Sequence, residues 1–328
     1  MSTSGVYNFS ITRDNIIRDA MLNIGRLASG EMPTPEEISD CSYKLNTMVK
    51  QWQADFDFAP GLRAWTRTRA DLVLSSNKGV YYLGPTGDNW MGGLSSNPNL
   101  NYARSVLTTA TAGGSAILTV GVGNTGVFTA NDYAVVQLTN GDTFSSTVQS
   151  INAGAGTITL NNTLPSNANS GNYVWNYTTK DPRPSKILNV LLRDNNLNDT
   201  PISEMTLETY ELLPSKVSPT YLSDPSMFYY EPQLGNGVIY FDMYGALDVT
   251  KTVHIVYYRE IQDFVNPSDN PEFSKEWYDA LGWGLSKRIC PMFQSTWTQE
   301  MEDNFQDSLM IARRANRAKT EIYFVPYR

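Results

Sequence analysis

The segment from residue 270 to residue 291 constrains the fold most, because its apolar residues recur at helical spacing. They lie three or four positions apart and share one helix face: Trp277, Ala280, Leu281, Leu285 and Ile289. After a break at Pro291, the next segment repeats the spacing with Met301, Phe305, Leu309, Ala312 and Ala315. An apolar face needs a partner that removes it from water. The two segments therefore predict an antiparallel pair of helices.

Two further helices are predicted near the start of the chain. The first covers residues 11–29, and its apolar face consists of Ile16, Ile17, Ala20, Met21, Ile24 and Leu27. We expect it to end near Gly30, because glycine is common just beyond the C-terminus of a helix. The second begins at Pro35, where Thr34 and Glu37 have the spacing of a capping box.

The middle of the chain has the pattern of β-structure. Short β-like runs broken by Gly, Pro and Asn occupy residues 60–104. Between residues 105 and 180 charges nearly vanish while Thr, Val, Gly, Asn and Ser dominate, which predicts a small all-β module. Within it, Asn140 and Gly141 stand where a two-residue hairpin turn belongs. Three later runs, FYYEPQ, GVIYFDMYG and TVHIVYYREI, predict a strand meander.

Together these elements predict an α+β fold. It would be a helical bundle of two N-terminal and two C-terminal helices, with a β meander and an inserted small all-β module. The predicted divisions are 1–104 for the N-terminal helices and the start of the core sheet, 105–180 for the inserted module, 181–319 for the rest of the core sheet and the C-terminal helices, and 320–328 for a C-terminal arm.

Composition excludes several classes of function. A net charge of −8 argues against a protein that grips nucleic-acid phosphates over its whole surface, because that mode needs a basic footprint. No run approaches eighteen apolar residues, and the N-terminus lacks a basic segment followed by an apolar one. We therefore expect neither a membrane span nor a secretion signal. Cys41 and Cys290 both fall on apolar helix faces, which favours buried thiols over a disulfide or a reactive site.

Catalytic, metal and cofactor sites have little support in the sequence. His254 is the only histidine, and it lies in a predicted strand with no assignable partner, so a satisfied or half-exposed strand residue is favoured over a general base. One histidine and two separated cysteines do not form a zinc ligand set. Four acids begin the last helix and could in principle serve a glycosidase: Glu300, Glu302, Asp303 and Asp307. Matching the helix dipole explains them more simply. A cell-wall hydrolase remains the enzymatic alternative.

The end of the chain offers two candidate contact sites. The last helix ends in a basic run, Arg313, Arg314, Arg317 and Lys319, which is denser than the helix dipole requires. We interpret it as a basic contact for a phosphate or an acidic partner. The final segment TEIYFVPYR carries apolar side chains without a core of its own, so we expect it to dock on a neighbour. Aromatic residues crowded between Tyr210 and Tyr258 favour a subunit interface over a solitary enzyme.

Four stretches carry a resemblance to a known family: DAMLNIGRLASG, LNTMVKQWQ, the meander from FYYEPQ to VHIVYYREI, and PEFSKEWYDALGWGLSKRIC. In pattern and order they resemble the head-to-tail adaptor (connector) proteins of short-tailed bacteriophages. The similarity is greatest to the P22-type tail accessory factor that lies below the portal. It covers residues 11–58 and 181–320, and the β-rich region at 105–180 lies outside it.

The resemblance implies a virion protein of the phage tail, made in the host cytoplasm. It would form a ring of twelve copies under the portal, extend the DNA channel, and carry nozzle, fibre or spike proteins. Genomic DNA would pass through the lumen during ejection without sequence-specific binding. The ring wall would contain helices 12–29, 35–55, 274–290 and 297–319. The portal-binding arm would comprise Ile322, Tyr323, Phe324, Val325, Pro326, Tyr327 and Arg328.

Two further points follow from this resemblance. A tail-tube or nozzle subunit is the structural alternative, since it shares ring geometry but would carry more β-structure throughout. The inserted module could dock fibres, spikes or a host surface glycan, and the resemblance does not assign its role.

Overall fold

A computed structural model divides the chain into two compact units. The helical unit comprises residues up to Arg67 together with those from Glu260 onward, and the sheet unit comprises Thr68–Arg259. The structure describes residues 5–6, 8–54, 66–88, 90–91, 102–214, 216, 218, 221–272 and 274–315. The helical unit is thus built from both ends of the chain.

Five α-helices are present in the described part of the chain. They are α1 (Arg13–Asn23), α2 (Pro35–Ala54), α3 (Leu207–Glu211), α4 (Tyr278–Ile289) and α5 (Gln299–Ala315). All but α3 belong to the helical unit. The first helix ends earlier than predicted, because the chain turns through Gly25 at φ +69°.

Two capping boxes define the starts of the first two helices. At α1, Asn15 N–H donates to Thr12 Oγ1 (3.3 Å) and Thr12 N–H donates to Asn15 Oδ1 (3.0 Å). At α2, Glu37 N–H donates to Thr34 Oγ1 (3.3 Å) and Thr34 N–H donates to Glu37 Oε2 (2.9 Å). The capping box predicted at Thr34 is therefore confirmed, and each box pairs backbone donors that the helix leaves unpaired.

The four long helices bury their apolar faces in one core. Trp52 on α2 lies between two aromatic rings, with centroids 6.1 Å from Trp277 and 6.4 Å from Phe305. A side chain on Gly284 would come within 2.7 Å of the Trp52 ring, so glycine there lets α4 approach α2 closely. Cys41 and Cys290 are buried as free thiols in the same core, as predicted.

The sheet unit is organised around a nine-stranded sheet in the order β10-β3-β1-β17-β11-β12-β14-β15-β2. Its strands are β1 (Arg67–Val73), β2 (Val80–Leu83), β3 (Trp90–Met91), β10 (Thr179–Lys180), β11 (Pro184–Arg193), β12 (Asp199–Glu204), β14 (Met227–Glu231), β15 (Gly237–Phe241) and β17 (Thr252–Arg259). Strands β13 (Leu222–Ser223) and β16 (Gly245–Ala246) form a separate pair. The central strands β11 and β17 pair antiparallel along most of their length.

A six-stranded sheet forms the rest of this unit, in the order β4-β9-β6-β7-β8-β5. Its strands are β4 (Ala103–Val106), β5 (Ile117–Thr119), β6 (Tyr133–Gln137), β7 (Thr143–Asn152), β8 (Thr157–Leu160) and β9 (Tyr173–Tyr177). Strands β6 and β7 pair through Gln137 and Thr143, so a hairpin does turn at Asn140 and Gly141.

The six-stranded sheet is buried on both faces at its centre. Side chains of Ala134 and Val136 on β6 contribute to its own apolar core. Val135, between them, points to the opposite face and joins Trp175 and Tyr177 in a cluster with Val73 of β1. Asp142 at the hairpin also accepts from Asn77 Nδ2 (2.8 Å). The region predicted as an insertion is therefore packed on the larger sheet.

The predicted fold class is wrong. The chain is not a helical bundle with a meander and a small β module, because seventeen strands and five α-helices occupy its described part and most of its core lies in sheets. The error has a physical cause. Local periodicity identified several strands. However, β1 pairs with β17 and β2 pairs with β15, and pairing between segments so far apart in the chain cannot be recognised from the local sequence.

Candidate interaction site

The predicted contact sites at the chain end are only partly within the described residues. Arg313 and Arg314 lie in the last turn of α5, where positive charge complements the helix dipole. Arg314 is exposed and Arg313 is half-buried. Arg317, Lys319 and the arm residues 322–328 lie outside the described part of the chain, so their roles stay predictions.

A groove of about 620 Å³ opens on the helical unit beside α1 and α4. It is lined by Phe9, Ser10, Ile11, Asn15, Ile16, Asp19, Lys275, Tyr278, Asp279 and Gly282. At its rim, the rings of Phe9 and Tyr278 are 6.2 Å apart, and Phe9 is 67% exposed. A concave surface with aromatic walls is suited to binding another chain.

Two carboxyl groups give the groove its electrostatic character. Burial, together with the negative charge of Asp279, raises the pKa of Asp19. Burial also raises the pKa of Asp279. A raised pKa means that the folded chain disfavours the charged carboxylate. A cationic partner would therefore stabilise the charged forms of Asp19 and Asp279. The sequence did not reveal the pair, because α1 and α4 are distant in the chain and meet only in the folded protein.

Replacing Asp19 with asparagine is expected to stabilise the protein at neutral pH. Because the pKa of Asp19 is raised on folding, its charged form costs stability above that pKa, and the cost disappears as pH falls below the ordinary value of 3.8. Urea denaturation should give a higher midpoint for Asp19→Asn at pH 7 and the wild-type midpoint at low pH. Asp40→Asn is the matched control, because Asp19 and Asp40 are both exposed on helices but only Asp19 lines the groove. An equal gain at both pH values would contradict this account.

Among the acids at the start of α5, Glu302 is held by several hydrogen bonds. Glu302 accepts from Lys287 Nζ (2.7 Å) and from Trp297 Nε1 (2.8 Å). The bond from Lys287, a third bond from Gln306 Nε2 (2.8 Å) and the bond from Trp297, in that order, lower the pKa of Glu302 to about 2. A general acid needs the opposite shift, so that it still holds its proton near neutral pH. Glu302 instead links α4 to α5.

His254 is a buried, hydrogen-bonded strand residue, the reading that the sequence favoured. It lies on β17, and its Nδ1 is 2.9 Å from Oδ1 of Asp71 on β1. The histidine side chain is 5% exposed and the aspartate side chain is fully buried. The sequence could not identify this partner, because Asp71 and His254 meet only when β1 pairs with β17.

Most aromatic residues between Tyr210 and Tyr258 are buried or half-buried rather than exposed. Phe228, Phe241 and Tyr257 are buried, and only Tyr221 is exposed among the ten that suggested an interface. The Tyr240 ring lies 4.9 Å from that of Tyr210, so neighbouring aromatics cover one another. Six of the ten are half-buried and keep part of their surface open, and the subunit interface expected from them stays a prediction.

The sequence predicts neither a long apolar helix nor a cluster of metal-binding side chains, and the described residues of the structure can be compared for each. Within these residues, no helix is both long and apolar enough to cross a membrane. In the same part of the chain, no three or more His, Cys, Asp or Glu side chains are grouped so that they could hold a metal ion.

Comparisons with known proteins give little. No family model matches the sequence, and no curated protein matches it. One solved structure with partial similarity is VP17, a capsid protein of bacteriophage P23-77, at 12% identity over 62% of this chain and 77% of that chain, with a TM-score of 0.12. Another is the VP16-VP17 complex of the two major capsid proteins of that phage, at 13% identity over 58% of this chain and 81% of that chain, also with a TM-score of 0.12. Similarity at this level carries no argument about fold or function.

Proposed function

We propose that the chain is a structural protein of a bacteriophage virion, and more narrowly a head-to-tail adaptor. In this proposal, copies form a ring beneath the portal, extend the DNA channel and carry tail components, without catalysing a reaction. The adaptor family is proposed from the sequence resemblance. The arrangement of the helical unit gives this proposal its physical support.

One observation carries the proposal: helices from the first and last parts of the chain meet in a single helical unit, and its open groove holds two carboxylates beside the one cation in its lining, Lys275. A closed ring needs two different surfaces on each subunit, one of which fits the other on the next copy. The groove supplies Asp19 and Asp279, whereas the end of α5 supplies Arg313 and Arg314. Opposite charges on two surfaces of one unit favour head-to-tail contact between copies.

The net charge also suits a DNA conduit. A channel wall that attracted phosphates strongly would hold the DNA through many ion pairs, each releasing counterions on binding. A chain with a net charge of −8 offers little such attraction. DNA would therefore pass along the lumen of the proposed ring without being retained.

Deleting residues Thr320 to Arg328 should abolish binding to the portal of the same phage and leave the fold intact. The arm lies beyond the described helices and has no core of its own in the sequence, so its loss removes a contact without opening the helical core. A pull-down with purified portal measures binding, and circular dichroism measures folding. Removal of Ser2 to Ser4 is a matched terminal truncation that should leave binding unchanged.

Two results would contradict the proposal. Full portal binding by the chain without Thr320 to Arg328 would remove the assignment of the arm. Electron microscopy of the protein mixed with portal should show a ring of copies beneath it, and persistent monomers that ignore the portal would reject the adaptor function as a whole.

A further inference from the structure

A second cleft lies on one face of the nine-stranded sheet, within the sheet unit. Its volume is about 350 Å³, and its lining comes from four adjacent strands and the turn between β11 and β12. The lining residues are Arg69, Leu191, Arg193, Leu197, Asp199, His254 and Val256. The opposite face of these strands carries the apolar core of the sheet, so the polar residues are confined to the cleft side.

The floor of this cleft is the buried side chain of His254, whose Nδ1 is hydrogen-bonded to Asp71. The Asp71 carboxyl group beside Nδ1 favours the tautomer with its proton on Nδ1, and in that tautomer Nε2 carries a lone pair. Among the described residues, Nε2 has no hydrogen-bond partner. Nε2 is not among the buried atoms that lack a partner, so it is reachable from the cleft, where a bound molecule can hydrogen-bond to it.

The cleft wall combines fixed polar groups with an aliphatic side. Arg193 donates to Asp199 through Nε (2.7 Å) and Nη2 (2.8 Å), which holds both planar groups in one orientation. On the aliphatic side, Leu197 has a φ of +66° and is 42% exposed. This backbone conformation is energetically unfavourable for a branched aliphatic residue, and residues strained in this way are concentrated at binding sites.

The charges of this cleft favour a neutral ligand with many hydroxyl groups. The guanidiniums of Arg69 and Arg193 are balanced by the carboxylates of Asp71 and Asp199, so a free anion gains little here. A sugar ring offers both hydroxyl donors for Nε2 and Asp199 and hydroxyl acceptors for the guanidiniums. Its C–H face fits against Leu191, Leu197 and Val256.

We propose that this cleft binds a single saccharide unit, with His254 Nε2 accepting a hydrogen bond from a ring hydroxyl. The volume lies at the lower end of the range for small-molecule pockets, about 300–1,000 Å³. The site lies within the sheet unit and does not depend on ring formation or on the arm. Its test is therefore independent of the adaptor proposal.

The experiment uses the fact that His254 is the only histidine in the chain. Labelling the full-length protein with nitrogen-15 histidine gives one imidazole, whose Nε2 resonance reports directly on the cleft. We would titrate methyl α-glucoside, methyl β-galactoside, rhamnose and N-acetylglucosamine, with inorganic phosphate as a separate arm. At least one sugar should shift the Nε2 resonance saturably, and phosphate should not.

Two variants make the assignment specific. Arg69→Ala, at an exposed position on β1, should weaken the affinity for that sugar about ten-fold, because it removes a charged hydrogen-bond donor from the cleft. Lys186→Ala, exposed on β11, is the matched control and should bind as the wild type does. The proposal is overturned if no sugar moves the resonance, if phosphate moves it instead, or if Arg69→Ala binds as tightly as the wild type.

Discussion

Replacing Trp277 with alanine is expected to cost about 3–5 kcal/mol and to unfold the helical unit under mild conditions. The Trp277 side chain is completely buried where α4 begins, and its ring contacts that of Trp52 on α2. The cavity left by alanine cannot close easily, because helices from both ends of the chain surround it. A domain has only about 5–15 kcal/mol of stability, so this loss is a large fraction of the total.

Urea denaturation followed by far-ultraviolet circular dichroism measures this effect. Because all long helices lie in the helical unit, their signal should disappear at a lower urea concentration in Trp277→Ala than in the wild type. Tyr43→Ala is the control, since Tyr43 lies on α2 but is 69% exposed and should change stability by less than about 0.5 kcal/mol. Equal midpoints for Trp277→Ala and the wild type would show that the helical core is built differently.

Replacing His254 with alanine should destabilise the sheet unit by about 3–5 kcal/mol. The variant leaves the carboxylate of Asp71 fully buried without its partner, and Oδ2 of that residue already has no partner among the described residues. Removing one member of a buried pair is costly mainly because the other member remains. The pair lies between β1 and β17, so the damage falls on the middle of the nine-stranded sheet.

A double-mutant cycle tests this explanation. The stability of Asp71→Ala, His254→Ala and the double variant is measured by urea denaturation. Since the double variant removes both members of the pair and leaves neither buried alone, it should be less destabilised than the sum of the two single variants. Simple additivity would mean that the two side chains do not act as a pair.

Structural features that depend only on neighbouring residues were predicted correctly from the sequence. Helix positions followed from the three- and four-residue spacing of apolar side chains, and Thr34 and Glu37 marked the start of α2. The turn at Asn140 and Gly141 followed from its own residue types. Each of these features is decided within a few residues, so it can be read without knowledge of the rest of the chain.

Features that join distant residues could not be predicted in the same way. The order of the nine strands, the Asp71–His254 pair and the Asp19–Asp279 pair each bring together segments that are far apart in the chain. Because the strands were treated as a small meander and a separate insertion, the fold class was wrong. The candidate groove was missed for the same reason, since neither carboxylate has a local pattern that marks it.

The two-part construction of the helical unit has a consequence for synthesis on the ribosome. Roughly two hundred residues separate the end of α2 from the start of α4, and at about 5–20 residues per second their translation takes about 10–40 seconds. Throughout that interval the apolar faces of α1 and α2 have emerged, while α4 and α5 do not yet exist. The nascent polypeptide therefore exposes two amphipathic helices with unpaired apolar faces until translation is nearly finished, and we expect chaperones to bind them during that time.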